Sequence, residues 1–141
     1  MRPDDRGWIR QLLEEAENER MHLMIFIQIA KPNWFERWMI ILAQFLFWHF
    51  YMVLYIFFPK VAHRMVGYFE EQAVISYTEY LKEIDEGRAE NIPAPTIAKN
   101  YYALNEDATL RDVVIAVRED ERGHAQVNHN MADTLKRAKN L

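Results

Sequence analysis

Glu17-Asn18-Glu19-Arg20-Met21-His22 and Glu119-Asp120-Glu121-Arg122-Gly123-His124 are nearly the same string written twice, each an acidic run closing in Glu-x-x-His. Positions three apart lie on one face of a helix, so each copy aims one carboxylate and one imidazole at a common point. A single copy is commonplace, a solvated acidic face with an incidental histidine. Two copies on separate helices, both set beside apolar positions, carry more weight. An unpartnered buried carboxylate costs on the order of several kcal/mol, so two buried acids beside two buried imidazoles call for cations.

Working outward from the first copy, residues 5–29 place Trp8, Leu12, Glu15, Glu19, His22 and Phe26 on one helical stripe, closed by Lys31-Pro32-Asn33. Around the second copy, a helix over residues 109–135, with Thr109 as its cap, puts Val114, Val117, Glu121, His124 and Asn128 at spacings of three and four. Between them lie an apolar stretch over residues 35–58, a helix over residues 61–85 ending at Gly87, and a proline-bearing connection over residues 88–105 with a short helix at 96–104. No stretch reads as strand-rich. The pattern predicts an all-α fold.

In ferritin-like carboxylate bundles, two helices each supply Glu-x-x-His and two others a lone Glu. Here the lone carboxylate is Glu70, bracketed by Val66 and Val74, whereas Glu71 points about a hundred degrees away. Two surface acids are the competing reading. Tyr77 lies two turns beyond Glu70, either as ordinary core or as an electron and proton donor beside redox-active metal. A ligating imidazole needs its other nitrogen fixed, and Asn18 and Asp120, matched in the two copies, are candidates for that outer shell. His63 is a further second-shell candidate, and His49 and His129 read as interfacial or structural.

The chain has 141 residues, a net charge of -4 and no cysteine. That charge gives no footprint for nucleic acid, and the missing thiols exclude disulfides, thiolate zinc and iron–sulfur ligation. Metal must be held by oxygen and imidazole nitrogen, which favours iron or manganese. Two divalent ions call for four carboxylates, and Glu19, Glu70 and Glu121 supply three.

The stretches Leu13-Glu14-Glu15-Ala16-Glu17-Asn18-Glu19-Arg20-Met21-His22-Leu23, Phe69-Glu70-Glu71-Gln72-Ala73-Val74-Ile75-Ser76-Tyr77-Thr78 and Arg118 through His124, with Val127-Asn128-His129, closely resemble the alternative oxidases, the cyanide-insensitive ubiquinol oxidases. The resemblance runs over nearly the whole of residues 1–141. It implies a diiron site of two non-haem iron ions in a four-helix bundle on one membrane leaflet, oxidising ubiquinol and reducing O2 to water without pumping protons. By resemblance, Glu19 and Glu121 bridge the metals, Glu70 is a terminal ligand, His22 and His124 are the nearby imidazoles and Tyr77 is the redox tyrosine. Ala73 and Ser76 border the quinol site, with His63 close to it, and a homodimer is expected. Gln72 and Tyr102 depart from the family's usual Glu and Trp. The family's first ligand helix and another membrane-facing helix would precede residue 1, so the bundle is expected to be N-terminally incomplete.

Residues 38–58 are long enough to cross a bilayer, yet Trp and His recur along them rather than only at the ends. Were this helix to cross once, Glu19 and Glu70 would lie on opposite sides and could not share a site. A monotopic helix in one leaflet is therefore expected, where ubiquinol is dissolved. Mitochondrial inner membrane and bacterial plasma membrane both fit. The competing functions are a plastoquinol oxidase and a noncatalytic iron-binding bundle.

Overall fold

A computed structural model describes residues 7–138, with side chains through residue 135. Its helices are α1 (Trp8–Ala30), α2 (Trp34–Phe57), α3 (Pro59–Asp85), α4 (Thr96–Tyr102) and α5 (Leu110–Ala138). Among the described residues the only β-type pairing is an isolated bridge between Pro93 and Thr109. The expected elements are all present, with bounds shifted by one to three residues. The start expected at Asp5 lies outside the described residues.

Local chemistry sets the breaks. Lys31 takes a left-handed φ of 47° and donates its N–H to Ile27, and Pro32 then bars continuation. Asn33 starts α2 with a capping box: its side chain accepts from Phe35 and Glu36 N–H, while Glu36 accepts from the Asn33 N–H. Pro59 opens α3 at a position where its missing N–H costs nothing. Gly87, at φ 72°, closes α3 by donating to Ile84 while Arg88 donates to Glu83, a Schellman ending. At α5, Thr109 stands just before the first turn as expected, but its side chain donates instead of accepting. The Asp112 carboxylate accepts from both the N–H and the hydroxyl of Thr109, and Asn91 accepts from Arg111 N–H.

Helices α1 and α3 run parallel, with Trp8 against His63 near their starts and Phe26 stacked on Tyr77 further along. Helix α5 is antiparallel to both, so Asn128 meets His63 and Glu15 at one end, and Leu110 and Val114 meet Leu81 and Ile84 at the other. The core lies on the α4 side of the bundle, where Ile25, Ala98, Val113 and Val117 are buried. Helix α2 returns along the outside of α3, touching it through Phe47 with Phe69 and Tyr55 with His63, and none of its residues is buried.

The two kinds of apolar side chain should respond differently to truncation. Ile25, fully buried, should lose about 2–5 kcal/mol of unfolding free energy on Ile25→Ala. Leu46, 59% exposed on α2, should change it by less than about 0.5 kcal/mol on Leu46→Ala, both measured by denaturant unfolding.

Candidate metal centre

Three helices converge on one point midway along the bundle. Helix α1 brings Glu19 and His22, α3 brings Glu70, and α5 brings Glu121 and His124. Ligand atoms of Glu19, Glu70, Glu121 and His124 all lie within 4.8 Å of one another. His124 Nδ1 is 3.0 Å from Glu19 Oε1 and 3.6 Å from Glu121 Oε2. His22 Nδ1 is 3.3 Å from Glu121 Oε1 and 3.5 Å from Glu19 Oε1. Glu121 and both imidazoles are buried, and Glu19 is partly open.

The orientation of the rings supports metal ligation. His22 Nε2 lies 3.1 Å from Asp120 Oδ2, an acceptor, so Nε2 is the nitrogen that keeps its proton if a cation displaces the one on Nδ1, which faces Glu19 and Glu121. His22 Nδ1, His124 Nδ1 and Glu121 Oε2 are buried and close to oppositely charged groups, yet none has a hydrogen-bond partner in alignment. Lone pairs that face one another's charges without hydrogen bonds suit a cation held between them.

Electrostatics point the same way. Burial pushes Glu70 up to about 8, reinforced by Glu121 and Glu19 beside it. Burial opposes ionisation of Glu121 too, but His124, His22 and Glu70 outweigh it and hold Glu121 at about 2. Burial also opposes charge on the rings, yet Glu121 and Glu19 raise both imidazoles to about 10, helped at His22 by Asp120. Without metal, protons do the neutralising.

The family model described as Alternative oxidase matches residues 1–133. The chain belongs to the alternative oxidase family. It is 60% identical over 127 residues to "Ubiquinol oxidase 1c, mitochondrial" of Arabidopsis thaliana, covering 90% of this chain and 39% of that protein. It is 58% identical to "Ubiquinol oxidase 2, mitochondrial" of Nicotiana tabacum, covering 90% and 43%, and 54% identical to "Ubiquinol oxidase, mitochondrial" of Batrachochytrium dendrobatidis, covering 93% and 42%. The chain thus spans about two fifths of the length of these curated relatives.

All five expected ligand residues of this alternative oxidase chain come together. Asp120 takes the outer-shell place on His22, while Asn18 stands one step further out, donating to Asp120 Oδ2 at 2.8 Å. Tyr77 is half-buried against Phe26, and burial with Glu121, Glu19 and Glu70 nearby holds its proton well above the ordinary phenol range. His63 makes no bond to a ligand side chain. Its Nδ1 donates to Asn128 Oδ1 at 3.0 Å, and Asn128 Nδ2 donates to Glu15 and to the His124 carbonyl, so His63 reaches the centre only through Asn128. Ala73 is partly buried and Ser76 exposed, both on α3 between Glu70 and Tyr77. Glu71 turns away as expected, to His129 Nε2 at 3.0 Å, and that ring lies so close to Gly67 that a Cβ there would fall 2.5 Å from it. His49 bonds the Phe45 carbonyl of its own helix. Sequence reasoning missed Glu15 and Asn128 as polar contacts of the α1–α5 seam, and Tyr101 and Tyr102 as partners of Asn18 and Asp120. The spacing of four between Glu15 and Glu19, and between His124 and Asn128, was the available signal.

Two outcomes follow for the metal-free protein. Ferrous or manganous loading at pH 7 should release about three protons, from the two imidazoles and Glu70, read by calorimetry in buffers of different ionisation enthalpy. Glu121→Ala or His22→Ala should abolish metal uptake, and unchanged uptake would refute the site. Because Glu70 and both imidazoles bind protons more tightly than their unfolded values of 4.5 and 6.5, their stabilising contribution is complete below those values and is lost as pH rises through about 8 and about 10. Thermal melts should therefore fall on that alkaline limb without metal, and fall less with it.

Proposed function

We propose that this chain carries the diiron centre of a ubiquinol oxidase that reduces O2 to water without pumping protons. The observation that carries the reading is the convergence of Glu19, Glu70, Glu121 and His124 within 4.8 Å, in a chain of this family. Glu19, Glu70 and Glu121, with the imidazoles of His22 and His124, would hold the iron, Glu19 and Glu121 each standing between the two rings and both rings turning Nδ1 toward them. When bound, two iron ions supply the electron transfer and oxygen reduction. The residues supply geometry, exclusion of water and proton placement. Asp120 holds the His22 ring in its ligating tautomer. Tyr77, protonated and held against Phe26 near three carboxylates, is the group that can give up an electron and a proton together.

The named relatives are ubiquinol oxidases of mitochondria, which favours ubiquinol over plastoquinol and the mitochondrial inner membrane over a bacterial plasma membrane. Residues 35–58 are read as the membrane-associated helix. Among the described residues α2 is the one helix long and apolar enough to cross a bilayer, and Trp38, Phe45, Trp48 and Phe57 are all more than half exposed on it. It packs alongside α3, whose neighbours α1 and α5 carry Arg10, Glu14, Arg20, Glu119 and Arg122 outward along the bundle. A crossing α2 would drag those charges into hydrocarbon, so it lies in one leaflet. Quinol then reaches the α3 face of Ala73 and Ser76 from lipid. Ile9 and Leu13, exposed on the outer side of α1, suit a homodimer contact.

Two measurements test the reading. The iron-loaded protein in liposomes should consume one O2 per two ubiquinols with no proton gradient, and Tyr77→Phe should keep its iron while losing turnover. Iron retention with undiminished turnover in Tyr77→Phe would remove the redox role. A noncatalytic iron-holding bundle would bind iron and leave quinol unoxidised. In flotation assays, Phe45→Glu with Trp48→Glu should release the protein from liposomes while leaving its iron content unchanged.

A further inference from the structure

One ring is seated deep between α3 and α5. His129 of α5 lies over Gly67 of α3, where a Cβ would fall 2.5 Å from ring Cε1, 2.6 Å from Nδ1 and 2.9 Å from Nε2. Its Nδ1 is 2.9 Å from Arg64 Nη1 and its Nε2 3.0 Å from Glu71 Oε1, and the Tyr68 ring stands edge-on at a centroid distance of 5.1 Å. Arg64, Gly67, Tyr68 and Glu71 fall at i, i+3, i+4 and i+7, the corners of a hole on a helix surface, and His129 is the knob that fills it. An arginine only donates, so Nδ1 accepts, Nε2 carries the proton for Glu71, and the neutral ring has one orientation that serves both. Arg64 is held in turn by Asp133, one turn beyond His129 on α5, and the imidazole is only 16% exposed.

The joint bears on the metal centre through Glu70. Helix α3 packs chiefly against α5, and α1 and α3 have no close backbone approach among the described residues, so the α3–α5 seam sets where Glu70 stands relative to Glu121 and His124. That seam is apolar at one end, where Leu81 and Ile84 meet Leu110 and Val114, and Glu70 lies eleven residues from Leu81 but three from Gly67. The axial distances are about 16 Å and about 4.5 Å, so if α3 pivots at its apolar end roughly four fifths of any displacement at Gly67 reaches Glu70. A methyl at Gly67 needs about 1 Å more room to reach ordinary carbon contact. Glu70 would then move by about 0.8 Å, against the ~0.2 Å within which metal–ligand distances are held.

We propose that His129, seated in the hole made by Arg64, Gly67, Tyr68 and Glu71, is a positioning residue of the metal centre. It sets the spacing and register of α3 on α5, and through them brings the Glu70 carboxylate within reach of the same cation as Glu121 and His124. The proposal rests on the metal-centre reading. It gives the two consecutive carboxylates of α3 different tasks: Glu70 meets the cluster, and Glu71 holds the ring that places Glu70. A glycine inside a helix is unfavourable, and the seat of the ring is what the missing side chain of Gly67 makes room for.

The test titrates the metal-free chain with manganous ion, reading bound metal by calorimetry and free metal by its six-line electron paramagnetic resonance signal, in each background with Glu70 and with Glu70→Gln. In the parent, Glu70→Gln should weaken binding at least about tenfold, the lower bound set by outer-shell partners of metal sites. In Gly67→Ala the same change should cost less than about twofold, because a displaced Glu70 has little left to contribute. His129→Ala should likewise flatten the dependence on Glu70. His129→Gln, whose amide accepts from Arg64 and donates to Glu71, should restore that dependence to more than about fivefold. A merely structural joint would lower the melting temperatures of these variants and leave the Glu70 dependence at its parent value. A full Glu70 dependence in Gly67→Ala or His129→Ala, or a Gln variant no better than the Ala one, would overturn the proposal with metal binding intact. Should circular dichroism show that Gly67→Ala does not fold, the two His129 variants decide. Absence of manganese uptake by the parent, or an affinity indifferent to Glu70→Gln, would remove the metal-centre reading and this inference together.

Discussion

Three carboxylates drawn from three helices into one cluster around the buried Glu121 are the constraint on which the rest of the structure depends. Like charges this close cannot all ionise alone, and in the metal-free protein they share the burden unequally. Glu70 keeps its proton, Glu121 gives its up, and the two imidazoles stay charged between them. Each group is tolerable only because the others stand at their observed distances, so the register of α1 and α3 against α5 is fixed at the centre as firmly as by the apolar layers beside it. The valine pair Val113 and Val117 and the facing Ile25 set the depth of that contact, while the charges set its register. A core of aliphatic side chains alone would accept a sliding of one turn; this one would strand a carboxylate. Proton or metal, something positive must occupy the junction. That requirement links folding to loading.

Much of this was legible in the sequence because the period of a helix is rigid. Glu19 and His22, three apart, had to share a face, and so did Glu121 and His124; Glu70 stood out from Glu71 through its apolar neighbours four residues either side. Caps written in short-range chemistry were equally readable, as at Pro32-Asn33, Pro59 and Gly87. What could not be read were contacts whose partners come from different helices at a distance set by tertiary packing. Asn128 looked like one more position on the α5 stripe, and only the antiparallel crossing of α5 over α1 and α3 brings Glu15 and His63 to its two ends. Tyr102 was visible as a residue that departs from a family pattern, but its bond to Asp120 depends on how α4 folds back after the Pro93–Thr109 bridge. Thr109 does precede the first turn of α5, but its N–H and hydroxyl both donate to Asp112 while Asn91, from the preceding connection, accepts from Arg111 N–H, a partner only the tertiary fold supplies.

Helix α2 obeys a different logic from the rest. Its apolar side chains are as numerous as those of a core, yet they face outward, and the bundle hides none of them. Hydrophobicity therefore follows two patterns in one chain. Where the apolar positions recur at helical spacing beside charges, as on α1 and α5, the helix buries one stripe against its neighbours. Where they continue around the whole circumference, as on α2, the outer face is left without an apolar partner in the bundle, which is the observation the proposed membrane contact rests on. The half-buried inner edge of α2, at Tyr51 and Leu54, keeps it in register with α3, so the exposed apolar face of α2 and the Glu70 cluster are held at a fixed offset through α3.

The doubled motif invites the view that the two half-sites are equivalent, and the surroundings argue otherwise. Asn18 and Asp120 occupy matched places in the two copies, each one residue before a cluster glutamate, yet they do not serve two different imidazoles. They bond to each other, and both lie on the His22 side. The equivalent ground beside His124 is held by Asn128, which ties down the backbone of its own helix and meets Glu15. One imidazole is thus backed by a carboxylate that leads through tyrosines to solvent, and the other sits beside a neutral amide in the closed part of the bundle. A carboxylate behind an imidazole raises its basicity, so Asp120 gives His22 a partner that His124 does not share. Repetition in the sequence builds a symmetric cage; the helices that close around it decide that its two ends do different work.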